Sequence, residues 1–275
     1  MKSIPPFRIL GCAPLALLLS LPPAIAQTED DQTEATLDRI TVVAQKREQN
    51  LQEVPISVSV LSDETLNAFT TGGRDIRLLS SRLPSLQVES SFGRAFPRFY
   101  IRGLGNTDFD LNASQPVSLV YDGVVLENPI LKGFPIFDLE RIEMLRGPQG
   151  TTFGRNTPAG AILFESRKPS QSADGYAQLA YGEYNTVNLE GAYGGPINRN
   201  WSFRGSVLYQ RRDDFVNNVF TGEDDALGGH EEFAGRFQLL FEDGPLEVLG
   251  NFHFRQLDAT ARLFRANAVE PGTNN

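Results

Sequence analysis

The sequence predicts an α+β domain followed by an antiparallel segment of about five strands. Three stretches carry the prediction. Asp138–Glu165 opens with charged and apolar residues in alternation from Arg141 to Arg146, breaks on Gly147-Pro148, and closes on the apolar run Ala161–Phe164. Period-two alternation reads as a half-buried strand, Gly-Pro as a turn, and the later apolar run as a second strand. Ser62–Pro84 carries helix caps and breakers. Beyond Arg167-Lys168-Pro169-Ser170, extended segments alternate apolar and polar residues to the end of the patterned chain.

Residues 1–26 read as a secretory signal: Lys2 and Arg8 make a basic start, Ile9–Leu21 a short apolar core, and Ala24-Ile25-Ala26 a small-x-small cleavage site. Ile9-Leu10-Gly11-Cys12 superficially resembles a lipid-attachment site, but the apolar core lies mostly after Cys12, the wrong order for such a signal. The chain carries a net charge of −9 and one cysteine, Cys12. An acidic exported chain is a poor ligand for nucleic acid, and a single cysteine inside a cleaved signal leaves no disulfide framework. No run of about 18 apolar residues occurs past residue 30, so no transmembrane helix is expected; strands evade that test.

Gln27–Asp38 is acidic and nearly free of large apolar residues, and reads as a flexible leader. Ile40-Thr41-Val42-Val43-Ala44 is a β-prone island behind it. It serves either as the first strand of the domain or as a tethered strand that adds to the sheet edge of a partner through main-chain hydrogen bonds. Pro55–Val60 alternates as a strand. Ser62 caps a short helix over Asp63–Phe69, ended by Thr71-Gly72-Gly73, and Asp75 caps a second with Ile76, Leu79 and Leu83 on one face, stopped by Pro84. Arg98–Arg102 is a strand running into Gly103-Leu104-Gly105-Asn106. Asp108 stands where a dinucleotide fingerprint needs glycine, and Gly147–Thr157 lacks the Gly-Lys-Ser/Thr ending of a phosphate loop. Val117–Tyr121 and Val124–Leu126 flank Asp122-Gly123, the strongest hairpin signal in the chain, because Asp-Gly supplies the positive φ angles of a two-residue turn. The loops Gly105–Pro116 and Glu127–Pro135 mix aromatic and polar groups.

After residue 170 the faces separate. Ala177, Leu179 and Tyr181 project to one side of the first segment, and Val187, Leu189 and Tyr193 to one side of the second. In the third, Trp201, Phe203, Val207 and Tyr209 oppose Ser202, Arg204, Ser206 and Gln210. The fourth sets Phe233, Phe237, Leu239 and Phe241 against Arg236 and Gln238. The fifth sets Leu246, Val248, Phe252 and Phe254 against Glu247, Asn251, His253 and Arg255. Gly194–Asn200 and Asp243-Gly244-Pro245 are short connections, and Asp214–Glu231 is long and acidic. The pattern fits a membrane barrel with lipid outside and a wet lumen, and equally a soluble sandwich with one wet face.

Asp138–Glu165 resembles the end of the plug domain of TonB-dependent outer-membrane receptors. The Asp122-Gly123 hairpin resembles the plug hairpin of that family, and Ile40–Ala44, followed by Gln45–Leu51, sits where its members carry the TonB box. The resemblance covers about 40–260 and implies the following organisation: signal peptide 1–26; flexible leader 27–53 with the TonB box at 40–44; an α+β plug domain at 54–169; and at 170–275 the start of an antiparallel transmembrane β-barrel, incomplete at about five strands. It implies energy-coupled uptake of a scarce nutrient across the outer membrane, a ferric siderophore or other iron chelate first, with cobalamin, nickel chelates and carbohydrates as alternatives. The implied partners are TonB with its inner-membrane energising complex, contacting Ile40, Thr41, Val42, Val43 and Ala44, a small-molecule chelate, and outer-membrane lipid. Loop residues Asn106, Asp108, Phe109, Asn112, Gln115, Asn128 and Phe134 become candidate ligand contacts. Arg102, Glu140, Arg141, Glu143, Arg146 and Arg155 become candidates for docking the plug to charged groups lining the barrel. The dozen residues between the cleavage site and the box are too few for the extra folded domain of members that signal to a sigma-factor regulator.

Five strands cannot close a barrel, and an open edge in lipid leaves backbone groups unpaired, so the sequence reads as the first part of a receptor. No nucleophile, base and metal cluster converges, so neither an enzyme nor a cofactor is expected. His230 and His253 lie on segments of opposite character and read as surface or lumen residues.

Overall fold

The computed structural model describes residues 41–43, 46–47, 49–62, 65–66, 75–108, 110, 112–261 and 263. The signal, the leader, Ile40, Ala44, most of the first predicted helix, Phe109 and residues 264–275 lie outside the described residues.

The N-terminal strands are β1 (Thr41–Val42), β2 (Gln49–Asn50) and β3 (Val58–Ser62). Thr65 and Leu66 are helical, as the Ser62 cap predicts. Asp75 does cap the next helix, accepting the Arg77 N–H at 3.0 Å, but the helix is a six-residue 3-10 element, Ile76–Ser81. Its brevity explains the form: between Asp75 and Pro84 there is room for little more than two turns, and short runs tighten to i→i+3 bonding. Next come β4 (Leu86–Ser90), β5 (Pro97–Ile101), β6 (Val117–Tyr121), β7 (Val124–Leu126), β8 (Leu139–Arg146) and β9 (Gly160–Ser166).

The core of this first domain is a five-stranded sheet in the order β3-β8-β9-β6-β7. The predicted hairpin is present: Asp122 and Gly123 take φ of 46° and 80° between β6 and β7. The strand–loop–strand unit is also present, with β8 antiparallel to β9. The sheet closes through a parallel pairing of β6 with β9, a long-range contact that local alternation does not announce. One face packs Leu79, Phe99, Ile101, Ile142, Met144 and Ile162, all 1 % exposed or less. The other packs Val120, Leu145, Ala161 and Leu163 beneath Val42 and Val54.

Gly160 is required by geometry rather than by a turn. Its φ is +150°, and a Cβ there would lie 2.1 Å from the Leu145 carbonyl oxygen. Gly160→Ala must therefore push β8 from β9 at the centre of the sheet, at a cost of about 3 kcal/mol or more. The check is the denaturation midpoint, which Gly150→Ala, in open surroundings, leaves nearly unchanged.

The second part is one antiparallel meander: β10 (Asp174–Gly182), β11 (Thr186–Pro196), β12 (Trp201–Arg212), β15 (His230–Asp243) and β16 (Leu246–Ala259). The strands run 9 to 14 residues, long enough to cross the apolar layer of an outer membrane. The long acidic connection carries a hairpin of its own, β13 (Val216–Asn218) with β14 (Glu223–Leu227).

The burial of this sheet decides between barrel and sandwich. Its apolar face is the open one: Leu179 and Tyr181 are each 72 % exposed, Phe252 65 %, Tyr193 60 % and Phe237 51 %. Its polar face is the covered one, with Ser202, Arg204, Ser206, Arg236 and Gln238 at 3 % or less, because the first domain lies against it. A water-soluble sandwich buries the opposite face. An apolar surface this large on a folded protein marks a face built to meet another nonpolar surface or solvent.

Candidate functional site

Three polar contacts fix the first domain to the inner face of the wall sheet. The central one is Asp138, the residue before β8, held at φ 48° with its carboxylate wholly buried. Arg204 grips it in bidentate fashion at 2.9 and 2.7 Å, Arg236 reaches Oδ2 at 3.1 Å, and the Ser206 hydroxyl donates to the same oxygen. Arg236 also donates to the Asp138 carbonyl at 2.5 Å and the Tyr121 hydroxyl at 2.7 Å. The Asp138 N–H donates to Glu190 at 3.1 Å, and the Tyr176 hydroxyl donates to that same Glu190 oxygen at 2.6 Å. Two buried guanidiniums thus converge on the Asp138 carboxylate, Arg204 also pairs with Asp174 at 3.0 Å, and bidentate geometry offsets the cost of drying them. Burial pushes the Tyr121 phenol up to about 12, so it stays protonated at any physiological pH.

The second contact is Arg94, at the tip between β4 and β5. It donates to Glu232 at 3.1 Å and Gln210 at 2.5 Å, while Arg255 pairs with Glu232 at 2.7 Å. Burial lowers the Arg94 pKa against the opposing pull of Glu232. The third is Asp122 in the hairpin turn. It accepts the Ser166 N–H and hydroxyl at 2.8 and 2.7 Å and Asn251 at 2.6 Å, and Gln238 donates to Ser166 at 2.7 Å.

Beside Asp122, Glu165 is pushed up to about 7, first by burial and then by the Asp122 carboxylate. A carboxyl that keeps its proton in the fold but loses it when unfolded makes stability fall as pH rises from about 4.5 to about 7. Glu165→Gln should remove that part of the slope and stabilise the protein above pH 7. Denaturation midpoints across this range, with and without the substitution, check it.

Of the six charged residues predicted to dock the domain, Glu140, Arg141, Glu143 and Arg146 bond within that domain. Among the described residues, Arg146 bonds to Ser59, Ser85 and the Pro84 carbonyl, within its own domain. Arg141 pairs with Glu140 and, at 2.9 Å, with Glu143. Arg102 and Arg155 are exposed. The wall is met instead by Asp138, Arg94, Asp122 and Ser166, whose partners lie between 72 and 138 residues away or, for Asp138, 52 to 98.

The loop candidates do not converge. Asn106, Asp108 and Asp110 build successive turns by accepting the N–H two residues on, ending at Asn112. Asn128 does the same for Ile130. Gln115 is buried at 4 %. Phe134 packs edge-to-face against Tyr121 and His253, in a cleft of about 710 Å³ between β7 and β16. Phe109 lies outside the described residues. A different cleft, of about 770 Å³, opens at the end of the strands that carries the long connection. It is lined by Asp75, Arg77, Gly93 and Arg94 of the first domain and by Arg212 and His230 of the wall. The Phe92-Gly93-Arg94 tip carries no sequence motif, and only its position against the wall marks it. Among the described residues no group of three or more His, Cys, Asp or Glu is placed to hold a metal.

The N-terminal strand is docked. β1 pairs with β2, Val42 is 0 % exposed, and the Val43 N–H donates to Glu143 at 2.9 Å.

The family model for the TonB-dependent receptor plug domain matches residues 50–161. A pesticin receptor from Yersinia enterocolitica is 28 % identical over 243 residues, 86 % of this chain and 34 % of the relative. A vitamin B12 transporter of Vibrio vulnificus is 28 % identical over 152 residues, 54 % of this chain and 23 % of the relative. Among solved structures, the ferric yersiniabactin uptake receptor of Yersinia pestis superposes with a TM-score of 0.68 at 25 % identity, over 75 % of this chain and 32 % of that one. The chain spans about a third of the length of the first curated relatives it matches.

Proposed function

We propose, on the premise that this chain belongs to the TonB-dependent receptors and comprises their plug domain with the first strands of a barrel, that it serves in energised uptake of a small chelate across the outer membrane. A ferric siderophore is the cargo proposed first, and cobalamin the second, since relatives named for each match this chain in sequence and a ferric yersiniabactin uptake receptor matches it in structure. Ligand arrives at the outer cleft above Arg94. The strand at 40–44 is then taken by TonB in the periplasm, by main-chain pairing. The observation that carries this reading is the inside-out burial of the wall sheet, with a separate domain stoppering its polar face and a short β-branched strand at that domain's start.

The test is accumulation of labelled iron from a panel of ferric chelates, and of labelled cobalamin, by cells producing the full-length receptor. Uptake of at least one chelate, lost when the inner-membrane energising complex is removed, supports the proposal. Uptake of none, or uptake indifferent to that complex, contradicts it.

A further inference from the structure

The second face of the plug sheet is built around one fully buried carboxylate, Glu143, at 0 % exposure. It stands on an otherwise largely apolar face: Val60 and Leu163 are its cross-strand neighbours, and Arg141 stands beside Glu165 in the next row. A single oxygen, Oε1, accepts both the Val43 N–H at 2.9 Å and Arg141 Nε at 2.9 Å, while Oε2 is buried with no hydrogen-bond partner. Next to this bond, Val42 is seated among Val54, Val120, Leu145, Phe153 and Leu163.

We infer that Glu143 is the latch that holds the N-terminal strand on the plug, and that Arg141 is the group that lets the latch open without stranding a charge. The inference rests on the reading of residues 40–44 as the partner's strand. A strand destined for another sheet must leave its seat and must not leave too easily. An apolar seat for Val42 alone is non-directional and tolerates sliding. A charge-assisted bond to one backbone N–H fixes the register and breaks in one step. When the strand departs, Glu143 keeps its bond to Arg141, so the buried carboxylate is never left unpaired and redocking remains favourable. Glu143 is thus a positioning residue that sets the fraction of time the strand is free.

The test uses the full-length receptor in outer-membrane vesicles, with Val42→Cys as the reporter. A thiol at this buried position reacts with a maleimide only when the strand is up, so the labelling rate reads the undocked fraction. Glu143→Ala should raise the rate about tenfold or more, the effect of losing one charge-assisted bond. Glu143→Gln keeps an amide oxygen for the Val43 N–H and should stay within about threefold of the parent. An unchanged rate in Glu143→Ala overturns the latch, as does an equal rise in both variants, because a merely structural carboxylate would not be rescued by the amide. Should the alanine variant fail to fold, amide exchange in the parent decides: the Val43 N–H must be protected, and exchange at the rate of an unstructured segment overturns the inference. Capture of the soluble periplasmic domain of TonB by the same vesicles is read in parallel. Faster labelling without better capture leaves the latch standing and removes the partner reading instead.

Discussion

Asp138→Ala should be the most damaging single substitution at the plug–wall interface. It removes the carboxylate from between Arg204 and Arg236, which are 1 % and 0 % exposed, and withdraws the acceptor of the Ser206 hydroxyl. Glu190 remains nearby, but its oxygen is engaged by Tyr176 and by the Asp138 backbone. Breaking a buried ion pair by deleting one partner costs about 3–5 kcal/mol; here Arg236 stays dry without a carboxylate, while Arg204 keeps Asp174 at 3.0 Å. For a protein of this size that corresponds to a loss of roughly 10 °C in melting temperature. The expected observation is a lowered midpoint in detergent, together with trypsin cutting of plug loops that resist it in the parent. Asp138→Asn keeps the shape and one acceptor and should fall between. Adding Arg236→Met to Asp138→Ala should restore part of the loss, since an apolar side chain in that space carries no unpaired charge. Full parental stability in Asp138→Ala would show that this cluster does not hold the plug.

Val42→Pro should abolish energised uptake and leave insertion in the outer membrane intact. Strand addition draws its affinity from main-chain hydrogen bonds, and proline deletes the donor at the centre of the 40–44 segment. The same change costs the docked state little beyond the packing of one valine, because β1 pairs with β2 over only two residue pairs, Thr41 with Asn50 and Val42 with Gln49. The measurement is labelled-chelate accumulation beside fractionation of the receptor. Normal uptake by the proline variant refutes the partner-strand assignment.

Much of this architecture was legible because it is local. Asp122-Gly123 specified its hairpin by backbone chemistry, Gly147-Pro148 separated β8 from β9, and the alternation at Trp201–Gln210 set Trp201, Phe203, Val207 and Tyr209 opposite Ser202, Arg204, Ser206 and Gln210, though not the buried Leu208 on the polar face. What could not be read was long-range. Nothing in Val117–Tyr121 says that it pairs parallel with β9, since alternation specifies faces and not neighbours. Asp138 looked like an ordinary strand-leading acid. Its partners are 66 and 98 residues away, so its role exists only once the wall is folded. The charged run Glu140–Arg146 drew attention as a docking surface because charge is conspicuous in sequence, yet Arg141 and Glu143 face the N-terminal strand and Arg146 ties its own domain together. The second helix followed its cap but not its predicted form, because six residues before a proline settle into 3-10 bonding.

The most direct test of the whole arrangement is spin-label accessibility at single cysteines on the two faces of the wall. Labels at Leu179, Tyr193 and Phe252 should collide freely with dissolved oxygen and hardly at all with a water-soluble nickel chelate, as side chains in hydrocarbon do. Labels at Ser206 and Gln238 should be shielded from both by the plug. Nickel collisions at the first three positions as frequent as at the exposed Arg155 would place that face in water, and the protein would not be a membrane receptor.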